Sequence, residues 1–155
     1  MDTHVARMVS GHPPRPSMAS VNNCRILRFP QIHSSAGTLT PIENMRHVPF
    51  EIQRVYYLYD ISEGASRAGH SHKNLQQVLI AMSGSFDVHL DDGREKRVVH
   101  LSQPHEGLYI PTMIWREIHD FSSGAVCVAL ASLLYDEGDY YRQYEDFLLA
   151  ASEQT

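Results

Sequence analysis

From residue 24 to residue 131 the chain is written in short runs that alternate apolar and polar side chains, most of them followed by Gly, Pro or Asp-Gly. Successive side chains of a strand point to opposite faces, so a period of two marks half-buried strands. Runs at residues 24–29, 37–43, 52–60, 78–82, 85–90, 95–101, 107–110, 115–121 and 125–131 make about nine strands with a turn signal every 8–12 residues. That cadence restricts the fold to an all-β sandwich or small barrel. Pro41 marks residues 37–43 as an edge or a bulge. Asp91-Asp92-Gly93 is a hairpin signal between the two runs that flank it.

The period changes only at the C-terminal end. Within residues 139–151, Tyr140, Tyr144, Phe147, Leu148 and Ala151 recur at helical spacing, and residues 136–139 supply capping side chains. One amphipathic helix lying against the β-body is expected there. At the other end, residues 1–22 hold Pro13, Pro14 and Pro16 and no periodicity, which predicts a disordered tail. No apolar stretch follows its charges, so it does not read as a signal peptide. Residues 23–155 are expected to form one domain.

Composition excludes more than it selects. A net charge of −5 and the lack of a basic block argue against nucleic-acid binding. No apolar run approaches a membrane span. Cys24 and Cys127 lie far apart without CxxC spacing, which fits reduced thiols in a cytoplasmic protein and no zinc site.

Chemistry concentrates in residues 64–84, GASRAGHSHKNLQQVLIAMSG. His70 and His72 occupy alternate positions at the start of a strand-like run, so their imidazoles project side by side. Such a pair serves either a metal ion or proton transfer. The spacing from Gly64 through His70, His72 and Gln77 to Gly84 resembles the first motif of the cupin superfamily, whose fold is a jelly roll. Metal-binding cupins carry a glutamate where this chain has Gln77. The second cupin motif has its counterpart at residues 111–116, with Arg116 where the last ligand histidine stands. An amide is a weaker ligand than a carboxylate, and a guanidinium beside a divalent ion is repulsive. The expectation is therefore no metal and no cofactor, with both imidazoles free to move protons near neutral pH.

Further segments narrow the likeness. Phe50-Glu51-Ile52-Gln53-Arg54-Val55-Tyr56-Tyr57, Arg67-Ala68-Gly69-His70-Ser71-His72-Lys73, Leu90-Asp91-Asp92-Gly93, Gly107-Leu108-Tyr109-Ile110-Pro111, Trp115-Arg116-Glu117, His119-Asp120-Phe121-Ser122 and Leu130-Ala131-Ser132 resemble the sugar 3,4-ketoisomerases. These are metal-free cupins similar to the enzymes of TDP-fucosamine and TDP-quinovosamine biosynthesis, and the likeness runs from about residue 26 to 148. The family's RGxHAHK stands here as RAGHSHK, with Ala68 in place of a glycine. The resemblance implies an all-β, cupin-type jelly roll that moves a keto group between C4 and C3 of a nucleoside-diphosphate 4-keto-6-deoxyhexose. Such chemistry serves the making of deoxy- and aminosugars for surface glycans such as lipopolysaccharide and S-layer glycan. It also implies a cytoplasmic homodimer joined near its N-terminal strands.

On that reading His70 and His72 move the protons, while Arg67 and Tyr57 steady the enolate oxygen. Arg54, Lys73, Tyr109, Trp115 and Arg116 form the set expected to hold the nucleotide through cations and aromatic faces. Two alternatives compete: another enzyme of the fold, such as a nucleotide-sugar 3,5-epimerase or a metal-dependent oxygenase, and a non-catalytic sugar-nucleotide-binding cupin. Exchange at C5 marks the epimerase, a metal requirement marks the oxygenase, and binding without exchange marks the last.

Overall fold

The computed structural model describes residues 18–154. Two five-stranded antiparallel sheets face each other around one apolar core, which is the expected jelly-roll barrel. The strands are β1 (Arg25–Arg28), β2 (Ile32–Ser34), β3 (Gly37–Leu39), β4 (Arg54–Leu58), β5 (Arg67–His72), β6 (Gln77–Ser83), β7 (Phe86–Asp91), β8 (Lys96–Leu101), β9 (Glu106–Ile110), β10 (Trp115–His119), β11 (Val126–Ala131) and β12 (Tyr140–Tyr141). The first sheet runs β1-β9-β6-β11-β4 and the second β12-β5-β10-β7-β8, while β2 and β3 form a separate hairpin.

Alternation decides which side chains reach the interior. On β7 Phe86, Val88 and Leu90 point inward, and on β9 Leu108 and Ile110 do the same. The middle strand β6 is instead apolar without interruption, because both of its faces are covered. Leu79 and Ala81 meet the barrel core, whereas Val78 and Ile80 pack under Phe29, Val48 and Phe50. The segment between β1 and β4 thus forms an outer layer over the first sheet. Gly107 sits at the tightest point of that contact: a Cβ there would lie 2.6 Å from Val78 Cγ1 and 2.8 Å from the Phe29 ring.

The β7–β8 hairpin turns where expected. Asp92 caps it by accepting from the backbone N–H of Arg94 and Glu95 with one oxygen, and from Val21 N with the other. That last bond corrects the expected boundary of the N-terminal tail. Residues 1–17 lie outside the described residues, but Val21–Asn23 forms a 3-10 turn capped by Ser20, and Val21 is buried in the core.

The C-terminal helix also needs a correction. It spans Tyr144–Ser152, shorter than residues 139–151 would suggest. Phe147 is its buried anchor and, with Tyr144, packs on Trp115 across the outer face of the second sheet. The residues before it fold differently: Glu137–Asp139 is a 3-10 turn, and Tyr140–Tyr141 becomes β12, paired with His72 and Ser71 of β5. The helical spacing of Tyr140 was coincidental, because that ring is held by the edge of β5.

On its other side β5 pairs with β10 through a bulge. Arg116 faces His70 and Ile118 faces Arg67, so Ala68 and Gly69 together oppose the single residue Glu117. Ala68 takes φ +66°, a left-handed conformation that costs a side-chain-bearing residue about 1 kcal/mol. Ala68→Gly should therefore raise stability by about 1 kcal/mol, seen as a Tm higher by ~2–4 °C. An unchanged Tm would show that the bulge absorbs the strain.

Candidate active site

A cavity of about 530 Å³ opens at one end of the barrel between β4, β5, β6 and β12. Arg54, Tyr56, Arg67, His70, Gln77 and Tyr140 line it, together with Arg142 at the rim. Each strand delivers its contribution by parity. On β5 Ala68, His70 and His72 alternate inward and the bulge brings Arg67 to the cavity as well; on β4 Arg54, Tyr56 and Leu58 face the cavity and Tyr57 faces away.

The two imidazoles meet edge to face with centroids 4.7 Å apart, and the Tyr140 ring lies 5.0 Å from His70 and 4.3 Å from His72. His70 forms part of the cavity wall, while His72 is 1% exposed just behind it. The Nε2 atoms of both rings are buried and have no hydrogen-bond partner. Buried polar atoms are almost always paired, so two such lone positions side by side point to a ligand.

His72 is oriented from its other nitrogen. Its Nδ1 lies 3.1 Å from Asp139 Oδ2. The Asp139 carboxylate also accepts from Asn74 N at 2.7 Å and Leu75 N at 3.2 Å. A carboxylate accepts only, so the His72 proton resides on Nδ1 and the lone pair on Nε2. Burial, reinforced by the Arg116 cation, lowers His72 to about 2 and His70 to about 3. Both rings are therefore neutral at physiological pH, and the contact with Asp139 is a hydrogen bond to a neutral imidazole.

Beneath the pair lies Arg116, completely buried, donating from Nη1 to Gln77 Oε1 at 2.9 Å and from Nη2 to Ile114 O at 2.9 Å. Gln77 Nε2 in turn donates to the Tyr56 hydroxyl at 2.6 Å. Burial lowers Arg116 to about 10, which leaves it a cation at neutral pH. These are the positions at which a metal-binding cupin carries its glutamate and final histidine. The amide oxygen is committed to the guanidinium, and the guanidinium holds a positive charge where a ligand would sit. This donor set does not fit a divalent cation. Among the described residues no group of three or more His, Cys, Asp or Glu side chains could hold one.

The structure brings some of the expected site residues to this cavity and leaves others away from it. His70, Arg54 and Arg67 line one cavity, with His72 directly behind the wall. Tyr57 does not belong to it: at 60% exposure it stands on the outer face of β4, and Tyr56 holds the inward position. Arg116 is sealed under the cavity and cannot reach a nucleotide. Tyr109 faces outward on β9, donating to Gln76 Oε1 and stacking near Phe50. Trp115 is 8% exposed and packed under the helix on the far side of β10. Lys73 is exposed and rests over the Tyr141 ring. Tyr56, Asp139, Tyr140 and Arg142 went unnamed as site residues. For Tyr56, alternation from Arg54 would have found it; the other three depend on β12, which carries no strand signal.

The family model described as FdtA, WxcM-like C-terminal, matches residues 22–152. The chain belongs to this family. This FdtA-like chain is 45% identical over 123 residues, 79% of its length and 88% of the relative's, to a protein of Aneurinibacillus thermoaerophilus named TDP-4-oxo-6-deoxy-alpha-D-glucose-3,4-oxoisomerase. Among solved structures, it is similar to QdtA, a sugar 3,4-ketoisomerase from Thermoanaerobacterium thermosaccharolyticum in complex with TDP. There the identity is 40% and the TM-score 0.84, covering 87% of this chain and 98% of that one. A histidine-to-asparagine variant of QdtA, in complex with TDP-4-keto-6-deoxyglucose, matches with the same identity and TM-score over 86% of this chain and 97% of that one.

Proposed function

We propose that this protein is a TDP-sugar 3,4-ketoisomerase, moving the carbonyl of a TDP-4-keto-6-deoxyhexose from C4 to C3. The observation that carries the reading is the pair of neutral imidazoles whose Nε2 atoms are buried and unpartnered at one cavity, in a chain of the FdtA-like family. The relatives named for this reaction support it.

The reaction needs a base at C3, a proton carrier between two oxygens and a donor at C4. His72, its lone pair fixed on Nε2 by Asp139, takes the C3 proton, and the electron pair of that C–H bond becomes the C3=C4 bond of an enediolate, with charge on O4. His70 carries the O3 proton to O4. Return of a proton to C4, as the O3–C3 bond becomes a carbonyl, completes the isomerisation with no net gain or loss. Neutral imidazoles suit both parts, since each accepts one proton and gives it back.

Arg54, Arg67 and Arg142 set three cations around the cavity mouth. Arg142 is paired with Glu137 and lies 3.9 Å over the Tyr140 ring. Guanidinium groups grip phosphate oxygens two at a time, so this rim is the diphosphate site in our reading. We also read the protein as a homodimer, supported by the exposed edge strand β4, with Val55 and Tyr57 on its surface and exposed Tyr59 just beyond its end. Light scattering that gave a monomer mass would end that part. The unpaired thiols of Cys24 and Cys127 accord with the reducing cytoplasm. No helix of the described residues is long and apolar enough to cross a membrane.

The test is NMR of TDP-4-keto-6-deoxyglucose with the protein in deuterated water. The expected result is a 3-keto product carrying deuterium at C4, with no exchange at C5. Exchange at C5 would make the protein an epimerase, and binding without exchange would make it a non-catalytic module.

A further inference from the structure

β12 is only two residues long, yet it lays a flat ring against the imidazole pair. Its register sets Tyr140 directly opposite His72 and Tyr141 opposite Ser71. Residues opposite each other on neighbouring strands share a face and touch, so Tyr140 turns to the cavity side with His72 and His70. Its centroid lies 4.3 Å from His72 and 5.0 Å from His70, as close as the imidazoles are to each other at 4.7 Å. The ring is in turn clamped. The Arg142 guanidinium carbon stands 3.9 Å from its centroid, and Glu137 accepts from Arg142 Nε and Nη2 at 2.8 Å each. Tyr135 adds a second ring at 5.9 Å. All of these contacts are made by the Tyr140 ring, and among the described residues no hydrogen bond engages its hydroxyl.

We infer that Tyr140 is a positioning residue for the imidazole pair: its ring is the wall that keeps water off both rings and sets the angle at which they meet. The link to turnover rests on the ketoisomerase reading above; the link to the state of the imidazoles does not. The charges that face the pair show why a wall is needed. Arg116 comes from β10, Arg54 from β4 and Arg142 from just past β12, against Glu137 and Asp139 of the 3-10 turn. β6 contributes only the neutral Gln77, and Tyr56 of β4 is raised by burial and keeps its proton. Cations repel a proton on either ring, but water would screen that repulsion. Dry surroundings disfavour the imidazolium directly and also keep the Arg116 field strong. Burial is accordingly the first cause of the low values of both rings, ahead of Arg116. Asp139 and Tyr140, adjacent in sequence, divide the work. One chooses which nitrogen of His72 carries its proton, and the other keeps a second proton away.

Two substitutions test the inference, with imidazole titrations followed by NMR, which need no substrate, read beside turnover. Tyr140→Thr removes the ring and leaves a side chain suited to an edge strand; Tyr140→Phe keeps the ring. In the wild type neither His70 nor His72 should take a proton between about pH 8 and about pH 4. In Tyr140→Thr both should titrate nearer the ordinary imidazole value of about 6.5. Its kcat/KM should acquire an acid limb there, since a protonated ring cannot act as a base. Its kcat should also fall ~10²-fold at about pH 8, the effect of a misplaced catalytic group. Tyr140→Phe should match the wild type in both readouts. Wild-type rings that titrate near their ordinary value, or a folded Tyr140→Thr whose rings take no proton above about pH 4, would overturn the inference. So would a Tyr140→Phe that loses turnover as fully as Tyr140→Thr, because the hydroxyl and not the ring would then matter. A wild type inactive on TDP-4-keto-6-deoxyglucose, with rings that behave as expected, would overturn the ketoisomerase reading alone.

Discussion

His72→Asn should bind nucleotide sugar almost normally and turn it over roughly 10³-fold more slowly, within the range that general bases contribute. The substitution is clean for a geometric reason. An asparagine side-chain NH2 can occupy the place of Nδ1 and still donate to Asp139 Oδ2, now 3.1 Å from the imidazole. What disappears is Nε2, the atom left buried without a partner. In the proposed reading binding rests on the rim cations and not on His72, so affinity measured by calorimetry with TDP should change little. Deuterium exchange at C3 of the substrate is the direct readout. Undiminished exchange would remove His72 from the mechanism and leave His70 as the base.

Asp139→Asn should cost nearly as much, ~10²-fold in kcat/KM, although Asp139 touches no substrate. Its side-chain NH2, set opposite His72 Nδ1, would favour the tautomer with the proton on Nε2, which cannot act as a base. The backbone N–H groups of Asn74 and Leu75 would lose part of their acceptor, a loss of about 1 kcal/mol in stability. The pH profile separates positioning from stability. Burial first and the Arg116 cation second hold His72 neutral down to about 2. The wild-type kcat/KM should therefore show no acid limb at the ordinary imidazole value of about 6.5. In Asp139→Asn the deficit should be the same at every pH from about 5 to 8, because it reflects tautomer and not charge. A purely structural role would instead give a lower Tm and normal kcat per folded molecule.

The same depression bears on stability. The unfolded chain binds protons at His70 and His72 below about 6.5, whereas the folded chain resists them until about 3 and 2. Their contribution to stability is complete above the unfolded value and is lost as pH falls through that window.

Much of this fold can be read from the order of residues. The barrel strands follow alternation and turn chemistry, and the His70–His72 pair follows from the same period. The departures have physical causes. Tyr57 and Arg54 are three apart on one strand, so they cannot share a face; the rule that found the histidines was enough to choose Tyr56. Trp115 and Tyr109 have site-like character but fall on outward positions, where the helix and the 29–50 layer cover them. Arg116 falls inward, yet an inward place on a central strand is also the most buried one, and burial keeps it from the solvent-borne nucleotide. β12 is the element that no local pattern announces. It is two residues long, lies within an apparent helical period, and exists because the free edge of β5 accepts it. Propensity gave way there to a tertiary hydrogen-bond ladder.

That late strand has a consequence for when the protein becomes competent. Every strand from β1 to β11 is synthesised before Asp139 and Tyr140, so a nascent chain can close its barrel while the groove beside β5 is still open. The imidazole pair then lacks both the carboxylate that fixes one proton and the ring that shields it from water. The pair reaches its described geometry only once that last segment has zipped onto the edge of β5.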